Sequence, residues 1–134
     1  MKEYILLFRG GFERIIDQLP EEFSANMEQW KKWLSDLGRD RKVVAAQPLI
    51  STGKHVVGKG RTVVDGPFAE GKEILGGYLI CKAETYDEAV TIAKGCPVLD
   101  TGGIVEIREI ATMEDMPKEY LKFRGDTQQK HPAP

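Results

Sequence analysis

The segment from Glu3 to Arg9 constrains the fold more than any other part of the chain, because its pattern predicts a strand that is apolar on both faces. Its alternating side chains are those of Tyr4, Ile5, Leu6, Leu7 and Phe8. A strand with two apolar faces is typical of the centre of a layered sheet. We therefore expect a central strand that is covered on both sides.

Two amphipathic helices are predicted. The first begins near Pro20, which suits the first helical position, and Gly38 is placed to cap its carboxyl end. Its apolar stripe consists of Phe23, Met27, Trp30, Leu34 and Leu37, with Trp33 on the flank. A capping box predicts the second helix, with Thr85 as N-cap and Glu88 three residues later, and Gly95 ends it.

Apolar runs and turn residues predict the remaining strands. These strands cover Val43 to Ile50, the two arms of a hairpin within Lys54 to Val64, Ile74 to Ala83, and Ile104 to Ile110. Pro48 indicates an edge strand or a bulge, and Gly76-Gly77 indicates a bulge or a close backbone approach. The order of elements predicts an α+β fold, a ferredoxin-like βαββαβ plait with an inserted hairpin.

One face of the predicted sheet lacks a cover within the chain, because two helices can cover only the other face. The uncovered face carries either Tyr4, Leu6 and Phe8 or the opposite set of side chains. An apolar sheet surface of this kind indicates a partner. A second copy of the same sheet is the economical partner, so we predict a homodimer.

Length and composition fit one globular domain, with 134 residues, 41% apolar and 30% charged. The net charge is −2 without a basic stripe, so nucleic acid is not an expected partner. The apolar runs are too short to span a bilayer, and no signal-like segment stands at the amino terminus. We expect a cytoplasmic protein without cofactor, metal or membrane contact. Cys81 and Cys96 are expected to be buried thiols, with a disulfide or a reactive thiol as the alternative.

We assign residues 1–112 to the domain and residues 113–134 to a polar carboxyl-terminal tail. Met116, Tyr120, Leu121 and Phe123 could form one amphipathic turn in this tail. The tail is expected to dock on the body of the domain or on a partner subunit.

The segment from Asp65 to Glu73 is the main candidate site, because loops between strands often carry function. Gly66-Pro67 makes its start stiff. In one interpretation Asp65, Glu70 and Glu73 rim a pocket, and one of them acts as a general base with a raised pKa. In the other, Asp65 closes a turn, Phe68 packs, and the remaining charges form a solvated tip.

Several segments of the chain resemble the DGPF branch of the YCII-related family. They are Val64 to Glu70, Lys72-Glu73, Gly76-Gly77-Tyr78, Cys96-Pro97 and Gly103 to Arg108. The resemblance implies a dimeric α+β barrel, in which two ferredoxin-like halves face each other around a central cavity. The wider superfamily includes cofactor-free isomerases, monooxygenases and dehalogenase-like enzymes. Some DGPF proteins resemble accessories encoded with extracytoplasmic sigma factors.

The chain departs from this family at its first helix. The better-described YCII branch pairs a histidine on that helix with an aspartate, whereas the segment from Ser24 to Trp30 contains no histidine. The histidine–aspartate pair is therefore not carried over. His55, the one histidine of the predicted domain, could pair with Asp65 instead, or it is a surface residue.

Other residues extend the set of candidates. Glu106 and Arg108 would bind or orient an anionic group if they face the barrel cavity, and would otherwise form a cross-strand pair in water. Trp30 and Trp33 could stack on a ligand ring or belong to the core. Phe68 could close the mouth of a cavity.

The predicted function is small-molecule binding, with cofactor-independent acid–base catalysis in the barrel cavity as its enzymatic form. The candidate catalytic residues are Asp65, His55 and Glu73. The candidate binding residues are Phe68, Glu70, Lys72, Tyr78, Arg108 and Trp30. The alternative is a non-catalytic sensor or interaction module linked to transcriptional regulation, and the sequence leaves open whether the protein is an enzyme.

Overall fold

The computed structural model describes residues 1–11, 19–66 and 74–119. Its strands are β1 (Lys2–Arg9), β2 (Val43–Pro48), β3 (Lys54–Val57), β4 (Thr62–Asp65), β5 (Leu75–Ala83) and β6 (Ile104–Glu109). Its helices are α1 (Pro20–Arg39) and α2 (Tyr86–Lys94), with short 3-10 turns at Pro97–Thr101 and Met113–Asp115. β1, β2, β5 and β6 form an antiparallel sheet in the order β2-β5-β1-β6, while β3 and β4 pair separately. This mixed α+β architecture is consistent with the predicted ferredoxin-like fold.

β1 lies between β5 and β6, which confirms the central strand predicted from its two apolar faces. The side chains of Tyr4, Leu6 and Phe8 are buried in the core. Residues of both helices belong to or pack against the same core, namely Trp30, Trp33 and Leu37 of α1 and Ala89, Ile92 and Ala93 of α2. Since both described helices pack on the Tyr4 side, neither covers the opposite side. We call that opposite surface, which carries Ile5 and Leu7, the helix-free face.

α1 begins at Pro20 as predicted, and Trp30 and Leu37 of its predicted stripe belong to or pack against the core. Asn26 and Leu37 are buried, and Trp30 and Trp33 pack against the core. Phe23 and Leu34, which were predicted to face the core, are 43% and 36% exposed. The stripe is therefore only partly buried, because Phe23 lies in the first turn of the helix and Leu34 faces a cavity between α1 and the sheet, described below.

The predicted role of Gly38 as a helix cap was wrong. α1 continues through Gly38 to Arg39, and Asp40 is the C-cap. The left-handed conformation that often follows a helix occurs further on, at Arg41 with φ 57°.

α2 begins at the predicted N-cap. The Thr85 hydroxyl accepts a hydrogen bond from the backbone N–H of Glu88 at 3.2 Å. The Glu88 carboxylate accepts from the backbone N–H of Glu84 at 3.0 Å, one residue before the position that a standard capping box uses. Gly95 is the C-cap, as predicted.

The two glycines at the start of β5 behave as predicted. The register between β1 and β5 shifts after Phe8, so that Gly76 is an extra residue in the ladder and forms a bulge. A Cβ on Gly77 would lie 2.9 Å from the backbone oxygen of Gln47 and 3.3 Å from Cα of Pro48. Gly77 therefore permits the close approach of β2, which is an edge strand, as the proline predicted.

The first residues of the predicted tail form the 3-10 turn Met113–Asp115. The Asp115 carboxylate accepts hydrogen bonds from the backbone N–H of Thr112 at 2.8 Å and from its hydroxyl at 3.0 Å. These bonds cross the predicted boundary at residue 112. Tyr120, Leu121 and Phe123 lie outside the described residues.

Candidate functional site

An apolar cavity of about 300 Å³ lies between α1 and the sheet, at the edge formed by β2 and the start of β5. We call it the α1 cavity. The described residues that line it are Phe8, Met27, Trp30, Leu34, Ala46, Gln47, Pro48, Gly76, Gly77 and Tyr78. None of these side chains is an Asp, Glu, Lys, Arg or His. A cavity of this size and lining fits a small neutral molecule.

Aromatic rings form the inner wall of the α1 cavity. The ring centroids of Phe8 and Trp30 are 5.4 Å apart at an interplanar angle of 72°, and those of Trp30 and Trp33 are 5.8 Å apart at 79°. Phe8 and Trp33 meet at 6.0 Å and 66°. Edge-to-face packing of this kind fixes the orientation of each ring. The wall is therefore rigid, and Trp30 belongs both to the core packing and to the cavity lining.

A buried amide lies on the same helix, close in sequence to this wall. Asn26 is 6% exposed, and its Oδ1 has no hydrogen-bond partner among the described residues. Asn26 precedes Met27 directly and Trp30 by about one helical turn.

A second cluster lies on the helix-free face. The Glu106 carboxylate accepts a hydrogen bond from Nε of Arg9 at 3.0 Å and from Nη1 of Arg108 at 3.5 Å. The two guanidinium groups lower the pKa of Glu106, with the Arg9 bond as the largest cause. Glu106 therefore stays ionised between two arginines.

The strand register places this charged cluster beside apolar residues. Leu7 of β1 lies opposite Tyr78 of β5 on one side and opposite Glu106 of β6 on the other. In the next row on this face, Ile5 lies between Ile80 and Arg108. Because opposed residues project on the same side of a sheet, the helix-free face has an apolar centre and a charged margin along β6.

Asp65 and His55 lie on the two-stranded sheet of β3 and β4, where all eight strand residues are exposed. Asp65 is opposite Lys54, and its carboxylate contacts Nζ of that lysine at 2.5 Å. His55 is opposite Val64. Adjacent residues of a strand project to opposite sides, so the register directs His55 and Asp65 to different faces of the hairpin and does not bring them together.

The remaining predicted residues divide into two groups. Phe68, Glu70, Lys72 and Glu73 lie outside the described residues. Trp30 and Tyr78 both contribute to the α1 cavity, while Arg108 lies on the helix-free face together with the side chain of Tyr78. Asp65, His55 and Arg108 are not among the described residues that line the α1 cavity.

Sequence reasoning missed most of the cavity residues and the role of Arg9. Met27 and Leu34 were predicted as core residues, and Ala46 and Pro48 as parts of a strand. The sequence signal for the cavity was the pair Gly76-Gly77, which predicts a bulge where a strand departs from regular packing. For Arg9 the signal was its position at the end of an otherwise apolar strand.

Neither cysteine lies in the α1 cavity. Cys81 and Cys96 are free and buried. Burial raises the pKa of both thiols, that of Cys96 to about 12. Residues 1–11, 19–66 and 74–119 contain no group of three or more His, Cys, Asp or Glu side chains arranged to hold a metal ion. Within the same ranges, no helix is both long enough and apolar enough to cross a membrane.

The antiparallel sheet with two helices on one face and a cavity beneath α1 defines a mixed α+β protein. The YCII-related domain family matches residues 11–114, and the chain belongs to this family. This confirms the family predicted from the sequence motifs.

One solved structure to which the chain is similar is 5-chloro-2-hydroxyhydroquinone dehydrochlorinase (TftG) from Burkholderia phenoliruptrix AC1100, in complex with 2,5-dihydroxybenzoquinone. The two chains are 18% identical, with a TM-score of 0.47, and the similarity covers 85% of this chain and 99% of the dehydrochlorinase. No curated protein matches the chain.

Proposed function

We propose that the protein binds a small, neutral, mainly apolar molecule in the α1 cavity. The observation that carries this proposal is the cavity of about 300 Å³, whose described lining contains aromatic and aliphatic side chains but no charged one. Burying a charged ligand against such a lining would leave its charge unpaired, at a large cost in free energy. A ring-shaped ligand fits best, because Phe8 and Trp30 offer fixed ring edges and faces.

Binding of 1-naphthol, a neutral two-ring probe, tests this proposal through the fluorescence of Trp30 and Trp33. Ala46→Leu adds side-chain volume inside the cavity and is expected to weaken binding by at least about tenfold. Ala25→Leu is the matched control, since Ala25 is exposed on α1 and does not line the cavity. Equal binding by both variants would refute the proposed site.

The enzymatic form of the proposal assigns acid–base chemistry to Glu73, since Asp65 pairs with Lys54 on the exposed two-stranded sheet. The described cavity residues provide no carboxylate, and Glu73 is the acidic residue that most closely precedes β5 in the sequence. Glu73 precedes Gly76 of the cavity wall by three residues in the sequence. Glu73→Ala is expected to change the pH dependence of naphthol binding between pH 4 and pH 8, and Asp65→Ala, which removes a carboxylate paired with Lys54 outside the cavity, is the matched control. If the pH dependence of naphthol binding by Glu73→Ala is identical to that of the wild type, Glu73 is not part of the site.

We further propose that the chain belongs to the DGPF branch and forms a homodimer through the helix-free face. The motif Asp65-Gly66-Pro67-Phe68 supports the branch. Ile5, Leu7 and Ile80 support the dimer, because they lie on a face that neither described helix covers. Two such faces would enclose the central cavity of a dimeric α+β barrel.

The alternative, a non-catalytic interaction module, is supported by the two-stranded sheet. Val56 and Val63, which are paired, are 67% and 57% exposed, and Val57 and Val64 on the other side are 44% and 46% exposed. An isolated two-stranded sheet is only marginally stable in water, so contact with a partner would stabilise it.

The rate of limited proteolysis at the 58–61 turn measures how often this two-stranded sheet opens. Cleavage that slows as protein concentration rises supports the interaction module, and a concentration-independent rate speaks against self-association through this sheet.

A further inference from the structure

We propose that the hydroxyl of Tyr86 closes the outer edge of β6, and so prevents a second copy of the chain from adding its own β6 to the sheet. The surface concerned is the edge of the sheet and not the helix-free face. This role of Tyr86 does not depend on the proposed function, and it is compatible with a dimer through the helix-free face.

Tyr86 bridges two backbone groups of β6 through its hydroxyl. The hydroxyl donates a hydrogen bond to the carbonyl oxygen of Ile107 at 3.2 Å and accepts one from the backbone N–H of Glu109, also at 3.2 Å. Backbone groups along one side of a strand are those that a neighbouring strand bonds in a ladder. The hydroxyl therefore occupies a place that the backbone of an added strand would otherwise take.

Both groups lie on the side of β6 that faces away from β1. The N–H of Ile110, at the end of β6, donates to the carbonyl oxygen of Glu3 at 2.9 Å, so it points toward the strand next to β6. Because consecutive N–H groups of a strand point in opposite directions, the N–H of Glu109 points outward. β6 is the last strand in the order of the described sheet, so Tyr86 bonds the edge itself.

An open edge of this composition invites strand addition. Unpaired N–H and C=O groups on an edge strand are a template for another chain, and proline is one of the residues that block it. β2, the other edge strand, ends at Pro48, whereas β6 (Ile-Val-Glu-Ile-Arg-Glu) contains no proline and has a β-branched apolar residue at three of its six positions. The hydroxyl of Tyr86 supplies the protection that the sequence of β6 lacks.

A second copy of β6 is the partner that fits this edge. When two β6 strands pair antiparallel with Ile107 at the centre, Glu106 of each strand lies opposite Arg108 of the other, and opposite charges in this position stabilise a strand pair. In the same register the carbonyl oxygen of Ile107 and the N–H of Glu109 would both bond the second strand. These are the two groups that Tyr86 holds, so its hydroxyl blocks this pairing directly.

The position of the Tyr86 ring is fixed by its surroundings. Tyr86 is the first residue of α2, directly after the N-cap Thr85. Its ring centroid lies 5.0 Å from that of the buried Tyr4, at an interplanar angle of 70°. Tyr86 is nevertheless 44% exposed, so a second chain can approach this part of the edge once the hydroxyl is removed.

Tyr86→Phe tests this role, because it keeps the ring against Tyr4 and removes only the hydroxyl. The full chain carries Leu7→Lys in every sample, so that a charge on the helix-free face leaves the β6 edge as the surface under test. Sedimentation velocity over a rising protein concentration is expected to show a monomer for Leu7→Lys alone and a dimer once Tyr86→Phe is added. In dilute samples the amide of Glu109 is expected to exchange its hydrogen at least about tenfold faster after Tyr86→Phe.

Two further variants control the experiment. Tyr4→Phe removes a hydroxyl from the neighbouring ring but leaves both bonds of Tyr86 to β6 in place, so the chain is expected to stay monomeric. Glu109→Pro removes the N–H that Tyr86→Phe sets free, without touching the bond between Ile110 and Glu3. Adding Glu109→Pro to Tyr86→Phe is therefore expected to restore the monomer.

Three results would overturn the proposal. The first is a Tyr86→Phe chain that stays monomeric with an unchanged far-ultraviolet circular dichroism spectrum, even if its urea midpoint falls, because Tyr86 then only anchors α2. The second is equal association of Tyr4→Phe, and the third is association that persists after Glu109→Pro is added. Since Leu7→Lys is present throughout, these outcomes are independent of whether the wild type forms a dimer through the helix-free face.

Discussion

The indole Nε1 of Trp33 donates a hydrogen bond to the backbone carbonyl oxygen of Ile92 at 3.2 Å and so joins α1 to α2. The same indole lies against the end of α2, where a Cβ on Gly95 would come within 3.0 Å of Nε1 and 3.1 Å of Cδ1. Trp33 is also in edge-to-face contact with Phe8 and Trp30, so it cannot move away without disturbing the wall of the α1 cavity.

Gly95→Ala is therefore expected to lower the free energy of unfolding by about 1 kcal/mol, because the new methyl group pushes against a fixed ring. Gly38→Ala is the control, since no atom lies within 4 Å of its Cβ position and the residue is helical. This second change is expected to raise the free energy of unfolding by about 0.5–1 kcal/mol. Urea denaturation measures both. A Gly95→Ala variant as stable as the Gly38→Ala variant would contradict the fixed position of Trp33.

Lys42 and Glu88 form a half-buried ion pair that joins the segment before β2 to α2. The hydrogen bond from Lys42 is the largest cause of the lowered pKa of Glu88. A carboxyl group with a lowered pKa in the folded state stabilises the protein above its ordinary pKa of 4.5, and this stabilisation is lost as the pH falls through the lowered value. Glu88→Gln is thus expected to lower the urea midpoint at pH 7, and the difference from the wild type is expected to shrink below pH 4.5.

The exposed pair of Glu28 and Lys31 supplies a control for this pH dependence, because its side chains are 75% and 76% exposed. Glu28→Gln is expected to leave the urea midpoint unchanged at both pH values. The pKa of Lys42 is raised above 10.5, first by its bond to Glu88, so its contribution is present below pH 10.5 and is lost as the pH rises through the raised value. If the difference in urea midpoint between Glu88→Gln and the wild type is constant from pH 3 to pH 7, the ion pair of Lys42 and Glu88 does not stabilise the protein.

The two cysteines are expected to be inert in the folded protein. Both thiols are buried, and burial raises their pKa, so that little thiolate forms near neutral pH. Reaction with a thiol reagent at pH 8 is expected only after denaturant is added, with two thiols reacting per chain. Rapid reaction of the native protein would mean that the core around Cys81 or Cys96 opens readily.

The proposed homodimer predicts a specific effect of a charge on the helix-free face. Leu7→Lys places an ammonium group at the centre of the apolar surface, opposite Tyr78 and Glu106. The wild type is expected to sediment as a dimer at micromolar concentration, and the variant as a monomer with an unchanged far-ultraviolet circular dichroism spectrum. Ile50→Lys is the control, since Ile50 is 86% exposed outside this face. A monomeric wild type would refute the dimer.

Local patterns predicted the elements of this protein well. The central position of β1 follows from its two apolar faces, and the start of α2 follows from Thr85 three residues before Glu88. The bulge at Gly76 and the close approach at Gly77 follow from the glycine pair. Each of these features depends on residues that are neighbours along the chain.

The candidate sites were much less predictable. The conspicuous carboxylates pointed to the segment from Asp65 to Glu73, yet Asp65 pairs with Lys54 on an exposed sheet. The apolar side chains that line the α1 cavity look like ordinary core residues in the sequence. Periodicity predicts that Met27, Trp30 and Leu34 face the sheet, but whether the space between them and the sheet is filled depends on side chains of distant strands.

The sequence by itself determined the class of fold, the family and the central strand, because these depend on periodicity, capping residues and short motifs. Only the tertiary structure decided that Arg9 meets Glu106, a residue 97 positions away, and that His55 and Asp65 project to different faces of the hairpin. Strand register sets both relationships, since a shift of one residue moves every side chain to the other face. The register in turn depends on the packing of the whole sheet against α1 and α2.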